Sequence, residues 1–409
     1  MSHLRRVEIE AADSPSVDSF HRFRVSNPVS LFDCQFQYDT MPLLWEDITT
    51  TGGTVVHLPN ESSVRLRIST ASNASVIRQT RAYHRYQPGR SQLINCTFVM
   101  GATNTNVKKR VGYFDAEDGI YFEQQDDGAL VITLRSKVSG SVVDTEVAQA
   151  SWNLDPLDGS GPSTVTIDAE KANHLVIDLQ WLGVGRVRVG FDIGPAGAPK
   201  IVYAHEFIGQ NAATSAYMTT PNLPLRYEMV ATGAAGAQTD LIQICASVIS
   251  EGGFIEERAF PFSAGNGISS ISVTSRRPIF SIQPAGTFNS ITNRGRIQLE
   301  TLDINAATQA CYFEIVYNGT LTSPSFGAVD SSSIVEKDVA ASAISGGIVL
   351  FSGTVGAAGA REEKVIDLLS KLPLVLDSAG SNPIVLSVVA TAFTGTSSVS
   401  AQLTWREMR

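Results

Sequence analysis

The sequence predicts an all-β protein built from two β-sandwich domains, and three observations predict it. Residues 175–207 split into three short runs in which apolar side chains recur at every second position. Similar period-two runs recur along nearly the whole chain, separated by turns rich in Gly, Pro, Asn and Asp. The length of 409 residues exceeds one ordinary domain, for which about 150 residues is a working prior. Successive side chains of a strand point to opposite faces, so a period of two marks a strand with one face to bury.

In the 175–207 stretch, Leu175, Ile177, Leu179 and Trp181 share one face, with Asp178 and Gln180 on the other. After the Gly183-Val184-Gly185 turn, Val187, Val189, Phe191 and Ile193 alternate with Arg186, Arg188 and Asp192. After a Gly/Pro/Ala loop at 194–199, Ile201, Tyr203, His205 and Phe207 alternate with Val202, Ala204 and Glu206. Short connections join antiparallel neighbours, so these runs predict a meander packed on a second sheet.

Taken in order, residues 1–20 are polar, contain Pro15 and read as an N-terminal arm. Residues 21–253 form the first sandwich domain in this reading. Phe32, Cys34, Phe36 and Tyr38 alternate with Asp33, Gln35, Gln37 and Asp39 as a strand, and further strands are expected at 54–58, 63–69, 75–86, 91–101, 109–115, 119–124, 129–135 and 141–149. Residues 151–173 read as a polar connection with a helical turn near 168–172, and the Ala/Thr/Gly/Asn/Pro-rich segment 208–240 reads as irregular. One more strand at 241–250 precedes a boundary at Glu251-Gly252-Gly253. Residues 254–409 form a second, smaller sandwich, with strands at 268–274, 278–283, 296–304, 309–318, 346–355, 383–393 and 397–406. Between them Val365, Ile366, Leu368, Leu369 and Leu372 recur at helical spacing ahead of Pro373, predicting a short helix over 361–372.

Apolar residues make up 43% of the chain, enough to fill cores, while charged residues make up only 17%. So sparse a charge, with abundant Ser, Thr, Gly and Asn, suggests a surface partly covered by other subunits. A net charge of −9 argues against nucleic-acid binding, which needs a basic footprint. No apolar run reaches the roughly 18–20 residues of a membrane span, and no apolar stretch follows the basic N-terminus as a secretory signal would require. The four cysteines, Cys34, Cys96, Cys245 and Cys311, sit in separate strand-like runs and read as free buried thiols.

The search for chemistry yields no catalytic, cofactor-binding or metal-binding residue. The carboxylates Asp115, Glu117 and Asp118, Asp168 with Glu170, and Glu256 with Glu257 read as turn or surface groups. None lies along an aromatic-lined strand as a paired acid and base would in a sandwich glycosidase. Asp126-Asp127-Gly128 and the Asp155–Gly159 stretch lack the six to eight oxygens that calcium takes, and the six histidines show no metal-ligand spacing. Stacking on a sugar ring needs exposed aromatics, which raises Trp45, Trp152, Trp181, Trp405, Tyr83 and Tyr86. Trp181 is in phase with a core face. Arg81, Tyr83, His84, Arg85 and Tyr86 together read as a contact surface, a protein interface before a sugar site, because Tyr and Arg dominate such surfaces.

Several stretches, in order, resemble a widespread group of tailed-bacteriophage virion proteins. They are RVSNPVSLFD (24–33), YQPGRSQLI (86–94), RVGYFDAEDGIYFE (110–123), DTEVAQASWNLDPLDGSGPS (144–163), LQWLGVGRVRVGF (179–191), IVYAHEF (201–207), TPNLPLRYE (220–228) and QICASVISEGG (243–253). The resemblance covers about residues 18–253 densely. The tryptophan-containing meander also resembles a concanavalin-like or laminin-G-like jelly roll. The resemblance implies a virion location after assembly in the host cytoplasm. It implies a non-enzymatic structural component on the particle exterior (tail, baseplate, fibre base or head decoration) that contacts other virion proteins. The sparse charge adds a homo-oligomer, with a trimer favoured. Two other readings are a carbohydrate-binding module for a host surface glycan and a tail-associated glycoside hydrolase.

Overall fold

The computed structural model describes residues 27–193, 201–255, 259–365 and 372–409. The N-terminal arm, the 194–199 loop and the pair Glu256 and Glu257 lie outside them. Fifteen strands between residues 29 and 250 build two facing antiparallel sheets. They are β1 Val29–Gln35, β2 Trp45–Thr49, β3 Gly53–Leu58, β4 Ser63–Ile68, β5 Ser75–Thr80, β6 Gln92–Val99, β7 Val107–Phe114 and β8 Gly119–Gln124. They continue as β9 Leu130–Ser136, β10 Val143–Ala148, β11 Ala172–Leu179, β12 Arg186–Asp192, β13 Ile201–Ile208, β14 Leu225–Ala231 and β15 Thr239–Ser250.

One sheet runs β13-β12-β11-β6-β15-β4-β3, with β1 also paired to β15, and the other runs β10-β9-β8-β7-β14-β5-β2. The meander β11-β12-β13 is in place, with Leu175 opposite Phe191 and Val189 opposite His205. Its apolar face joins Ile94, Phe98, Val111, Tyr113, Phe122 and Tyr227 in one buried cluster between the sheets. The polar face pairs Asp178 with Arg188. Arg78 is fully buried among these apolar groups. It stays ionised because Asp47, the Gln243 Oε1 acceptor at 2.7 Å and the Thr40 carbonyl take its donors, while its cation lies over Trp45 at 5.1 Å.

The second half builds two further sheets around a separate core centred on Phe280, Leu302, Phe313, Leu403 and Trp405. One carries the strands 260–265, 397–408, 296–306 and 360–365, and the other includes 277–284, 386–392, 311–317 and 348–355. The two halves together are a nearly all-β molecule of jelly-roll-like sandwiches. No helix among the described residues is long and apolar enough to cross a membrane.

Two expectations are corrected. The segment predicted as a helix over 361–372 begins as a strand: Ala360–Val365 pairs antiparallel with 296–306, Arg361 opposite Asn305 and Val365 opposite Thr301. The open edge of that sheet supplies backbone partners that outweigh the local helical spacing, and 366–371 lie outside the described residues. The irregular reading of 208–240 misses β14, which lies between β7 and β5 in the middle of its sheet. Leu225, Tyr227 and Met229 alternate there with Arg226 and Glu228, a clean strand pattern hidden between Pro- and Gly-rich flanks. At Asp168–Ala172 there is a single hydrogen-bonded turn, the Lys171 amide donating to the Asp168 carbonyl at 3.2 Å.

All four cysteines are free; Cys34, Cys96 and Cys311 are buried and Cys245 is partly so. Burial pushes the Cys34 and Cys96 thiols up to about 12.

Candidate functional site

The outer face of the β10-to-β2 sheet turns away from the core and carries charge. Because side chains alternate, Arg110 on β7, Glu123 on β8 and Glu228 on β14 all project from that face. Arg110 stands directly opposite Glu123 on one side and Glu228 on the other. The two carboxylates are therefore two strands apart, about 10 Å between their backbones. The Arg110 guanidinium spans them, its Nε donating to Glu123 and its Nη1 to Glu228 Oε1 at 2.7 Å. Arg226 donates its Nε to Glu228 Oε2 at 2.7 Å, and Lys108 Nζ lies 3.4 Å from Glu123.

Glu123 is fully buried and Glu228 nearly so. Burial alone would raise the Glu228 pKa, but Arg226 and Arg110 outweigh it and hold the carboxyl below its ordinary value. The cluster extends through aromatic faces: Arg110 and Arg135 lie over the Tyr121 ring at 5.5 and 5.2 Å, and Arg226 over Phe114 at 5.3 Å. Gly112 makes this possible, since a Cβ there would stand 2.8 Å from that of Tyr121. Asp144 accepts from Arg135 at 2.8 and 2.9 Å and from the Tyr121 hydroxyl at 3.0 Å.

This constellation is what the sequence reading missed. Tyr121 and Glu123 alternate along an aromatic-lined strand, but that strand holds only one acid of a pair. Their partner, Glu228, sits on the strand read as irregular. As arranged, Glu228 is held ionised by two guanidinium groups and holds no proton to donate, so it cannot act as the acid of a carboxylate pair.

At one end of this face the second sandwich docks and leaves a cleft of about 880 Å³. Gln79 and Arg226 form its floor, joining it to the buried charge cluster. One wall, from the first sandwich, offers Tyr83, Arg85, Ala116, Glu117, Asp118, Lys137, Thr220 and Asn222; the other offers Phe288, Asn293, Arg294, Ala379 and Arg409. Arg294 reaches across to lie 4.4 Å over the Tyr83 ring while donating to the carbonyls of Asp377 and Ser378 at 2.6 and 2.7 Å. Nearby, the Ser378 amide donates to Glu46 Oε2 at 2.9 Å, a second bond between the halves.

The expected contact surface is thereby corrected. Tyr83, His84 and Tyr86 are buried within the chain, and Tyr83 packs against this chain's own second sandwich rather than facing another molecule. Arg81 donates to the Pro42 carbonyl at 3.1 Å. Arg81 and Arg85 are half-buried, and Arg85 lines the cleft without a side-chain partner among the described residues. The density of Tyr and Arg marked a real interface, but an intramolecular one.

His84 stacks near Tyr113 and lies 5.1 Å from Phe32. Burial, with Arg296 adding to it, holds the ring neutral with a pKa of about 3. Unfolding exposes a ring that takes a proton near 6.5, so the folded state binds fewer protons below that pH. Stability is complete above about 6.5 and declines as pH falls toward 3, by up to about 1.4 kcal/mol per unit. Denaturant midpoints measured from pH 7 to 5, where carboxylates stay ionised, should fall in the wild type and fall less steeply in His84→Gln, in which only His205, its pKa also lowered by burial, still contributes. Equal slopes would contradict the buried neutral ring.

The other carboxylates named from sequence are turn or anchoring groups. Asp115 Oδ1 caps the amides of Glu117 and Asp118 at 2.7 and 2.9 Å, Glu117 pairs with Lys137, and Asp118 accepts from the Thr219 amide at 2.9 Å. Asp168 Oδ1 accepts from the Glu170 amide at 2.9 Å, and Asp155 caps the amides of Leu157 and Ser163. Among the described residues no group of three or more His, Cys, Asp or Glu is placed to hold a metal. Of the aromatics raised for sugar stacking, Trp45, Trp152 and Trp405 are buried and Trp181 is partly so, packed against the core.

No family model matches the chain. No curated protein matches it either. Among solved structures, the chain is similar to a glycosyl hydrolase family 16 protein from Mycobacterium smegmatis, at 9% identity and a TM-score of 0.35 over 54% of this chain and 100% of that one. It is also similar to a beta-1,3-glucanase from Mycobacterium marinum, at 13% identity and a TM-score of 0.32 over 54% and 98%. A carbohydrate esterase from the Shiga toxin-encoding bacteriophage phi24B matches at 11% identity and 0.31 over 55% and 100%. Against the expectation of a protein without enzymatic activity, several of the matched structures are named as hydrolases. The likeness is slight, so what chemistry this chain performs is a question for its own residues.

Proposed function

We propose that the chain is a glycan-recognising component of a tailed-phage particle, taking a segment of host surface polysaccharide into the cleft between its sandwiches. One observation carries the reading. The cleft of about 880 Å³ is lined by guanidinium, amide, hydroxyl and aromatic groups, including Arg85, Asn222, Thr220 and Phe288. Such a mixture suits a sugar, whose hydroxyls need many fixed donors and acceptors and whose ring faces need an apolar surface. The volume is in the range of small-ligand sites, about 300–1,000 Å³. The stretches that resemble phage virion proteins support the particle location.

Ala116 and Ala379 are exposed and stand on opposite walls of the cleft, so tryptophan at either fills it without removing a contact. Calorimetric titration with host surface oligosaccharides should give binding in the wild type and at least a tenfold loss in Ala116→Trp and Ala379→Trp. Unchanged affinity in both variants would remove the cleft as the site. Release of reducing ends in the same incubations would extend the reading to hydrolysis. Absence of the chain from purified particles would remove the phage part of the proposal.

A further inference from the structure

We infer that this cleft is built for an acidic glycan, with Arg85 and Asn222 as the point that takes its carboxylate; the inference rests on the cleft being a glycan site. Most of the charges lining the cleft can be assigned to partners. Its acids are all engaged: Asp115 with turn amides, Glu117 with Lys137, Asp118 with Thr219 and the Lys137 amide. Among its cations, Arg226 is committed to Glu228 and Arg409 to Glu407. Arg294 is held by two neutral carbonyls and Tyr83, with no carboxylate partner among the described residues.

Arg85 has no hydrogen bond or ion pair from its guanidinium among the described residues. It is nonetheless half-buried, and burial alone draws its pKa down. A desolvated cation without a counter-charge is costly to keep, and an arriving anion removes that cost.

The backbone places a second donor beside it. His84 bridges Leu223 in antiparallel register, which sets Arg85 opposite Asn222. Asn222 Oδ1 accepts the Tyr86 amide at 2.8 Å, which fixes the side-chain amide and leaves its Nδ2 donors without a protein acceptor. A planar guanidinium fork beside an oriented amide matches the two oxygens of a carboxylate better than the hydroxyls of a neutral sugar. Arg294, on the facing wall, supplies a second uncompensated charge. A uronic-acid residue within the glycan satisfies both requirements, a carboxylate on a polar ring.

The experiment titrates wild type, Arg85→Gln and Arg85→Lys with oligogalacturonides and with the same oligomers after methyl esterification. Wild type should prefer the acidic oligomers by about 10- to 100-fold, as expected for hydrogen bonds to a charged group. Arg85→Gln should lose that preference, its acidic-to-esterified affinity ratio falling to about one, and Arg85→Lys should recover only part of it. Thermal midpoints should be unchanged, because Arg85 has no protein partner to lose. Equal affinity for both oligomers in the wild type, or a preference that survives in Arg85→Gln, overturns the inference. Should neither oligomer bind, the glycan reading fails, and free glucuronate then tests the anion site by the ¹⁵Nε resonance of Arg85. A shift with glucuronate and none with glucose upholds the carboxylate site, and no shift overturns it as well.

Discussion

Arg110→Ala is expected to destabilise the first sandwich by about 3–5 kcal/mol, the cost of breaking a buried ion pair from one side. The substitution leaves Glu123, fully buried, with only Lys108 at 3.4 Å, and leaves Glu228 with Arg226 alone. Domains are stable by about 5–15 kcal/mol, so the loss takes a large share of the total. Urea unfolding at pH 7 measures it, and a loss under about 1 kcal/mol would mean that the carboxylates are solvated. Adding Glu123→Gln and Glu228→Gln to Arg110→Ala should recover part of the loss, because neutral amides no longer need the cation. The pH sign follows from Glu228, whose folded pKa lies below its unfolded 4.5. Its stabilising contribution is present above that value and is lost as pH falls through the folded pKa. Wild type should therefore lose stability on acidification below about 4.5 more steeply than the triple variant.

Trp405→Ala is expected to cost the second sandwich about 3–5 kcal/mol, the range for removing a buried tryptophan. Trp405 is fully enclosed, and its indole Nε1 donates to Glu407 Oε1 at 3.0 Å. Glu407, also fully buried, keeps the Ile334 amide at 3.0 Å, Ser333 and Arg409, but loses one donor. The two cores share no residue, so the transition that moves should be that of residues 260–408, with the other following only through the contacts between halves. Calorimetric scans of both variants separate the cases. A Trp405→Ala midpoint within a degree of wild type would contradict the burial.

Much of the fold was legible in the chain because an amphipathic strand writes its own pattern. The alternations at 63–68, 92–99 and 186–192 could be read residue by residue, since each signal is complete within one strand. The 361–372 segment was misread for the opposite reason. Its spacing favoured a helix locally, and the strand at 360–365 depends on a partner at 301–306 that local spacing does not reveal. The candidate site was less legible still. Glu123, Arg110 and Glu228 meet only through the register of three strands, and β14 is separated from β8 in sequence by the five strands β9 to β13. A residue type in the right phase can be seen from sequence; the strand that will lie beside it cannot. The Tyr83–Arg85 region shows the intermediate case, where contact was legible and the identity of the contacting surface was not.

The strand order also fixes when the first half can fold. β14 and β15 are the last strands of that half to be synthesised, yet each occupies the middle of its sheet. β14 pairs with β7 and β5 on its two sides, and β15 joins β6 to β4 and β1. A growing chain that has reached β13 therefore holds the strands of each sheet in separate groups with open edges and nothing to join them. At typical elongation rates the interval between completing β5 and completing β14 is on the order of ten seconds. Sheet closure must wait for these long-range pairings, which favours slow, late and all-at-once folding. A ribosome stalled before residue 250 would release a chain whose unpaired edges invite aggregation.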